Sequence, residues 1–249
     1  MIPRVVMFDI DRTLARSKSE ITPSMASSLK ELLSHTSVGI ISGGKLEQFL
    51  KQVVDQLPKD TDLHKLYLMP TSGAALHEYR DAWTLVYEER LSAQEEAKIE
   101  EVLEKVLKET YIIDQSIPSH GPRIENRGAQ VALSALGQQA PVEEKEAWDP
   151  SGEKRNALRE IISAQLPDFD VKRGGATTID ITKHGINKAF GVRKLSEHLN
   201  VPISEMLYIG DELGPNGNDE VVKETGIPTH AVAGPEDTEE FVKNLISQD

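Results

Sequence analysis

Val5-Val6-Met7-Phe8-Asp9-Ile10-Asp11-Arg12-Thr13-Leu14 is the stretch that decides the fold. Its first four residues are apolar and predict a buried strand. The strand stops abruptly on two carboxylates separated by one residue, followed by a threonine. An unpaired buried carboxylate is costly, so packing gives no reason for acids there. At the carboxyl end of a strand in an α/β sheet, such a pair can hold a divalent cation and face a substrate. One carboxylate can attack phosphorus and the other can manage a proton, while the cation screens the repulsion between two anions.

Outward from this strand, the first third of the chain alternates strand and helix. Thr22 caps a helix that has Pro23 at its first position and runs to about residue 34. Residues 38–41 form a second buried strand that ends at Ser42-Gly43-Gly44. A helix follows over 46–56 with Leu46, Phe49, Leu50 and Val53 on one face, then a strand over 66–69. This alternation predicts a parallel sheet with crossover helices. The last third repeats the style, with a helix over 187–199, a strand over 206–210, a short helix over 219–225, a strand over 229–232 and a closing helix over 236–246.

The middle reads differently. Strands are expected at 83–88, 169–172 and 177–182, with alternating extended chain over 123–136. Helices are expected at 93–110, with Ile99, Val102, Leu103, Val106 and Leu107 as the apolar stripe, and at 153–165. The acidic run Glu143-Glu144-Lys145-Glu146 reads as a solvated loop or helix start. The expected class is therefore α/β: a Rossmann-like parallel-sheet core split in sequence, with an inserted α+β cap of antiparallel sheet and helices. Residues 1–83 and 186–249 are expected to form the catalytic core, and 84–185 the cap for substrate binding.

Composition narrows the partners. The 249 residues are 38% hydrophobic and 28% charged, enough for a large core plus a smaller inserted domain. A net charge of −13 argues against wholesale binding to a nucleic-acid backbone. The absence of cysteine removes disulfides and thiolate metal sites. No apolar stretch reaches the roughly 18 to 20 residues of a membrane span, and no leader pattern opens the chain. These features predict a soluble, cytoplasmic protein whose partner is a small molecule.

Four pieces recur at strand ends or helix starts. They are Asp9, Asp11 and Thr13; Ser42 leading into glycines; Lys188 at a helix start; and Ile209-Gly210-Asp211-Glu212, continuing Leu213-Gly214-Pro215-Asn216-Gly217-Asn218-Asp219. A hydroxyl with open backbone amides at Ser42 can grip a phosphoryl oxygen. A cation at Lys188 can neutralise phosphate and nucleophile. Acids beyond the later strand offer oxygen ligands that suit magnesium. Taken singly, each piece is also a common surface turn, loop or solvated lysine. All four in this order, on alternating strand–helix units, form a specific pattern.

The pattern resembles the haloacid-dehalogenase superfamily of phosphotransferases, and within it the eukaryotic-type phosphomannomutases over most of the chain. The closer likeness rests on Gly217-Asn218-Asp219-Glu220, Ile124-Glu125-Asn126-Arg127, Gly174-Gly175 with Thr178-Ile179-Asp180, Gly185 with Lys188, and Pro235-Glu236-Asp237-Thr238. The resemblance implies that Asp9 is the nucleophile forming an aspartyl-phosphate and Asp11 the general acid/base. It implies that Ser42, Gly43 and Lys188 hold the transferring group. Magnesium would be bound by Asp9, the backbone carbonyl of Asp11 and Asp211, with Asn218 and Asp219 in support. Arg127, with Arg123 nearby, would grip a distal phosphate. Thr178 and Asp180, which share a strand face, would bind sugar hydroxyls or phosphate. It also implies a hexose bisphosphate activator for a mutase, and a homodimer through the cap.

The chain departs from that family at several positions. Arg12 stands where the family has glycine, Gln138 where it has another cap arginine, Ala132 where it has asparagine, and His120 where it has a further arginine. Fewer cap cations weaken the grip on a second phosphate, which a mutase needs and a phosphatase does not. The expected activity is thus interconversion of mannose 1-phosphate and mannose 6-phosphate, with a sugar-phosphate phosphatase as the alternative. A catalytically silent sugar-phosphate-binding protein is the rival of a different class.

Overall fold

In the computed structural model, which describes residues 2–17, 19–215 and 217–247, the chain begins β1 (Val5–Phe8), α1 (Pro23–His35), β2 (Ser37–Ile41), α2 (Leu46–Gln52), β3 (Leu66–Met69), the single turn α3 (Pro70–Gly73), β4 (Ala75–Tyr79) and β5 (Trp83–Glu88). It continues through α4 (Ala93–Glu109), β6 (Ile124–Asn126), β7 (Gln130–Ser134), α5 (Val142–Trp148), α6 (Glu153–Gln165), β8 (Phe169–Arg173) and β9 (Thr178–Lys183). It closes with α7 (Lys188–Leu199), β10 (Met206–Gly210), β11 (Thr229–Ala231) and α8 (Pro235–Ser247). Asn216, in the glycine-rich turn quoted above, lies outside the described residues. Among the described residues no helix is long and apolar enough to cross a membrane.

Two units emerge: one holds the residues up to Glu88 and those from Asn187 onward, the other Glu89–Ile186. The expected boundaries at 83/84 and 185/186 shift to 88/89 and 186/187. The physical reason at the first boundary is β5, which pairs antiparallel with β4 from Ala75↔Glu88 to Tyr79↔Trp83 and so extends the larger sheet.

The first unit is a seven-stranded sheet of order β11-β10-β1-β2-β3-β4-β5. The five strands from β11 to β3 are parallel, and β4 and β5 return antiparallel at one edge. Chain order runs outward from β1 through β2 and β3 on one side and through β10 and β11 on the other. The sheet's direction of winding therefore reverses between β1 and β10, the place where open α/β sheets bind ligands beyond the carboxyl ends of their strands.

β1 shows why this sheet forms. All four of its side chains are fully buried. Val6 and Phe8 pack into one apolar cluster with Met25, Leu29, Leu32 and Leu33 of α1 and Val242 of α8. Val5 and Met7 point the other way, into a cluster with Val192 and Leu195 of α7. Alternate residues thus serve opposite faces of a sheet covered on both sides. Each such burial contributes about 1.5–3 kcal/mol. The expected cap at Thr22 forms, its Oγ1 accepting the Met25 amide at 3.1 Å, and the structure adds one at Asn187, whose Oδ1 accepts the Phe190 amide at 3.1 Å.

The helix expected over 46–56 is shorter, ending at Gln52 and followed by a 3-10 turn, Val54–Gln56. The short helix expected over 219–225 is likewise a 3-10 segment, Glu220–Thr225.

The second unit is an antiparallel sheet of order β6-β7-β9-β8, with α4 and α6 supplying Ile99, Leu103, Val106, Leu158 and Ile162 to its core. The extended stretch expected over 123–136 is the β6–β7 hairpin, turned at Gly128 with φ 80°. α4 starts in a reciprocal capping box, in which Glu95 N donates to Ser92 Oγ and Ser92 N to Glu95 Oε2. The acidic run over 143–146 lies within helix α5, and its Lys145 is buried rather than solvated, donating to the Gln138 carbonyl at 3.1 Å. At the start of α6 the buried Asp149 accepts the Lys154 and Arg155 amides and the Arg155 guanidinium.

Candidate active site

The reversal point sets the acids in place. β1 and β10 run parallel with Phe8 opposite Ile209, so Asp9 and Asp211 both emerge just beyond the carboxyl ends of adjacent strands. β2 flanks β1 on the other side with Phe8 opposite Ile40, which brings Ser42 out at the same end. Lys188 is the first residue of α7, directly after the Asn187 cap.

Lys188 ties this end together. Its side chain is 1% exposed, and Nζ donates to Asp9 Oδ1 at 2.6 Å and to Asp219 Oδ1 at 2.7 Å. Burial pulls the ammonium's pKa down, but Asp219 and Asp9 outweigh it and hold the value above the ordinary lysine range. Charge-assisted hydrogen bonds of this length are the strong kind. Asp219 is saturated further: Tyr208 Oη donates to Oδ1 at 2.6 Å, and the Glu212 amide donates to Oδ2 at 3.2 Å. Tyr208 is buried in β10, and its hydroxyl's pKa is raised by burial and then by Asp219 and Asp9.

Carboxylate oxygens of Asp9, Asp211 and Asp219 lie within 4.8 Å of one another. One lysine does not balance them. Burial, then Asp219 and Asp11, push the Asp9 carboxyl well above its usual range, with Lys188 opposing. Burial, then Asp219 and Glu212, raise Asp211 to about 6, with Arg12 and Lys188 opposing. This buried excess of negative charge, built of hard oxygens, suits a divalent cation that takes one or two carboxylates. Because Asp219 is already bonded to Lys188, Tyr208 and the Glu212 amide, it fits a supporting role better than a direct ligand.

Loops complete the arrangement. Thr13 is fully buried, and its Oγ1 accepts the Asp211 amide at 3.1 Å and lies 3.5 Å from Asp211 Oδ1. Asn218 contributes through its backbone amide, which donates to Glu212 Oε2 at 3.0 Å. Glu212, a residue with no assigned role in the sequence reading, thereby stitches the turn from Asp211 to Asp219. Gly210 is required by close approach: a Cβ there would sit 2.4 Å from Asp219 Oδ2. Gly210→Ala is expected to displace Asp219, to destabilise by about 1–3 kcal/mol and to cut turnover more than about tenfold, as urea unfolding and a phosphate-ester assay measure.

Ser42 is held from behind. Its carbonyl accepts the Ser72 amide at 2.9 Å, and the Gly44 carbonyl accepts the Thr71 amide at 2.9 Å. Thr71 and Ser72 adopt left-handed conformations with φ 51° and 58°, and the buried Thr71 Oγ1 has no hydrogen-bond partner. A β-branched residue in this region is strained by about 1–2 kcal/mol, so strain is stored against the loop that carries Ser42 and Gly43.

The other expected site residues belong to the second unit. Arg123 is committed to backbone carbonyls there, donating to Ala135 at 3.0 Å, Ile117 at 2.9 Å and Asp114 at 3.4 Å. That makes it a staple of its own loop rather than a cation held out for substrate. Arg127, 6% exposed, donates to Glu125 Oε2 at 2.8 Å and to Gln138 Oε1 at 3.3 Å, and lies 3.9 Å from Asp180 Oδ1. Thr178 and Asp180 are buried on β9, opposite Ser134 and Ala132 of β7.

Residues 25–248 match the family described as eukaryotic phosphomannomutase. A spinach (Spinacia oleracea) phosphomannomutase is 27% identical over 241 residues, covering 94% of this chain and 92% of that protein. One from Oryza sativa subsp. japonica is 26% identical, covering 97% and 95%. Among solved structures, an IMP-nucleotidase from Plasmodium falciparum superposes with a TM-score of 0.70 at 18% identity, covering 98% of this chain and 68% of that one. A haloacid dehalogenase-like hydrolase from Bacteroides thetaiotaomicron gives 0.64 at 15% identity, covering 98% and 99%. The two structural likenesses bear on fold, whereas the family match spans nearly the whole chain. The chain belongs to the eukaryotic phosphomannomutase family, and is on that ground a phosphotransferase enzyme of the haloacid-dehalogenase type.

Proposed function

We propose that the chain acts in the cytoplasm as a magnesium-dependent phosphohexomutase, interconverting mannose 1-phosphate and mannose 6-phosphate through an aspartyl-phosphate on Asp9, with a hexose bisphosphate as activator. The observation that carries this reading is the buried Asp9–Lys188–Asp219 chain with Asp211 alongside it, at the carboxyl ends of β1 and β10. Lys188 engages Oδ1 of Asp9, which leaves Oδ2 as the attacking oxygen. That oxygen forms a bond to phosphorus as the bond from phosphorus to the sugar oxygen breaks, and Asp11 gives a proton to the leaving oxygen. In the return step the other sugar hydroxyl attacks the aspartyl-phosphate, Asp11 takes its proton, and the phosphoryl leaves Asp9.

Ser42, the amides of Gly43 and Gly44, and the Lys188 ammonium hold the transferring group, so catalysis is mainly positioning and charge stabilisation. Magnesium would be held by Asp9, Asp211 and the backbone carbonyl of Asp11, with Asn218 and Asp219 in support. When bound, it supplies positive charge against the transferring phosphoryl oxygens. Arg127, Thr178 and Asp180 are proposed to recognise the sugar phosphate, and the second unit to mediate a homodimer.

A specific observation favours a second reading, sugar-phosphate hydrolysis. A mutase must hold two phosphates, yet Arg127 is paired with Glu125, Gln138 stands beside it in place of a cation, and Arg123 serves backbone carbonyls. In the hydrolase, Asp11 activates water against the aspartyl-phosphate. Incubation with mannose 1-phosphate, magnesium and a hexose bisphosphate separates the two. The mutase reading expects mannose 6-phosphate in excess of free phosphate; free phosphate alone would defeat it.

A further inference from the structure

Arg12 occupies a position its backbone does not favour. Its φ is 62°, with the amide donating to the Ala15 carbonyl at 2.6 Å. Glycine adopts this conformation at no steric cost, whereas the Cβ of an arginine crowds the following carbonyl oxygen there. The side chain is 63% exposed, so packing does not explain its presence. What it does touch is Asp211: Nε lies 3.4 Å from Oδ2 of a carboxylate that is itself 7% exposed.

The three clustered acids thus have counter-cations within the chain. Lys188 pairs with Asp9 and Asp219, and Arg12 pairs with Asp211. The two cations differ in character. Lys188 is buried and held by two carboxylates, whereas Arg12 is exposed and can swing into water at little cost. A magnesium ion ligated by Asp211 sits about 2.0–2.1 Å from the ligating oxygen. A guanidinium 3.4 Å from the same carboxylate would then face a divalent charge at close range.

We propose that Arg12 is an internal competitor for the divalent cation, whose guanidinium must leave Asp211 before the ion is ligated and which thereby sets the affinity of the site. This rests on the reading of Asp9 and Asp211 as cation ligands. The competitor weakens resting occupancy, and it leaves a mobile cation at the mouth of the site once the ion is in place. Its strength must fall with salt, because the arginine is solvent-exposed.

Magnesium binding by calorimetry to the full chain, in low salt and in 0.5 M potassium chloride (about a 4 Å screening length), tests this. Arg12→Asn keeps a residue that tolerates the left-handed backbone and removes the charge; Arg12→Lys keeps the charge. The proposal expects Arg12→Asn to bind magnesium about two- to fivefold more tightly in low salt, with the gain shrinking in high salt. It expects Arg12→Lys to stay near wild type, and the melting temperature of metal-free Arg12→Asn not to fall. Equal or weaker binding by Arg12→Asn overturns the proposal and leaves the metal reading standing. If neither wild type nor variant binds magnesium, both fall.

Discussion

Asp9→Asn is expected to reduce turnover of any phosphate ester by about 10,000-fold or more while leaving the fold intact. The two effects separate because of where the residue sits. The amide is nearly the same size as the carboxylate, so packing at the end of β1 is unchanged. The chemistry is lost because an amide oxygen is a poor nucleophile toward phosphorus. Stability is expected to hold or rise slightly, since Asp9 is buried beside Asp219 and Asp11 and its carboxyl is held well above its usual range by burial and those neighbours. Removing one acid relieves that repulsion, and Lys188 keeps its bond to Asp219. A thermal melt and a phosphate-release assay on the same preparation read both effects. A variant that keeps a tenth of wild-type turnover would remove Asp9 from the chemistry.

Lys188→Met carries the second large effect and has the opposite sign on stability. The substitution keeps an unbranched apolar stem but removes the ammonium that bridges Asp9 and Asp219 across 2.6 and 2.7 Å. Two buried carboxylates are then left facing each other without a cation. Breaking one partner of a buried pair typically costs about 3–5 kcal/mol. Asp219 still has the Tyr208 hydroxyl and the Glu212 amide, which places the expected loss at the lower end, about 3 kcal/mol. Turnover should fall with it, because the same ammonium is positioned to meet phosphoryl charge. The double variant Lys188→Met/Asp219→Asn is the informative control. It removes one of the two stranded charges and is expected to regain about half of the lost stability in urea unfolding, with no recovery of turnover. Recovery of both would mean that Lys188 is structural alone.

Much of this site was legible in the sequence because strands that end at an active site are written as apolar runs. β1, β2, β3 and β10 are buried on both faces, so each reads as three or four consecutive apolar residues closed by an acid, a serine or a turn. Asp9, Ser42 and Asp211 follow from those runs, and Lys188 from the Asn187 helix start. β4 was not legible. Its sequence Ala75-Leu76-His77-Glu78-Tyr79 is half-exposed, and it is paired antiparallel on both sides. The domain boundary was misplaced for the same reason, since without β4 nothing in the sequence ties β5 to the larger sheet.

Other features needed the third dimension. Tyr208 lies inside an apolar strand and reads as core, yet a buried tyrosine hydroxyl requires a partner, and that partner is Asp219. The left-handed backbone at Thr71 and Ser72 has no sequence signal, because neither residue is the glycine or asparagine that usually marks it. The pairing of Arg127 with Glu125 was within reach, since residues two apart in extended chain share a face. Arg123, placed among the substrate residues because it lies near Arg127 in the chain, donates to the carbonyls of its own loop. A motif fixes a residue's position in the chain but not which neighbours reach it first.

The central claim is that the Asp9 carboxylate accepts the phosphoryl group. Beryllium fluoride with magnesium traps such carboxylates as stable mimics of the phosphorylated state, and a crystal structure of the treated protein locates the adduct. The account predicts beryllofluoride bonded to a carboxylate oxygen of Asp9, with Lys188 beside it. An adduct on Asp11 or any other group, or an unmodified Asp9 at saturating reagent, would contradict it.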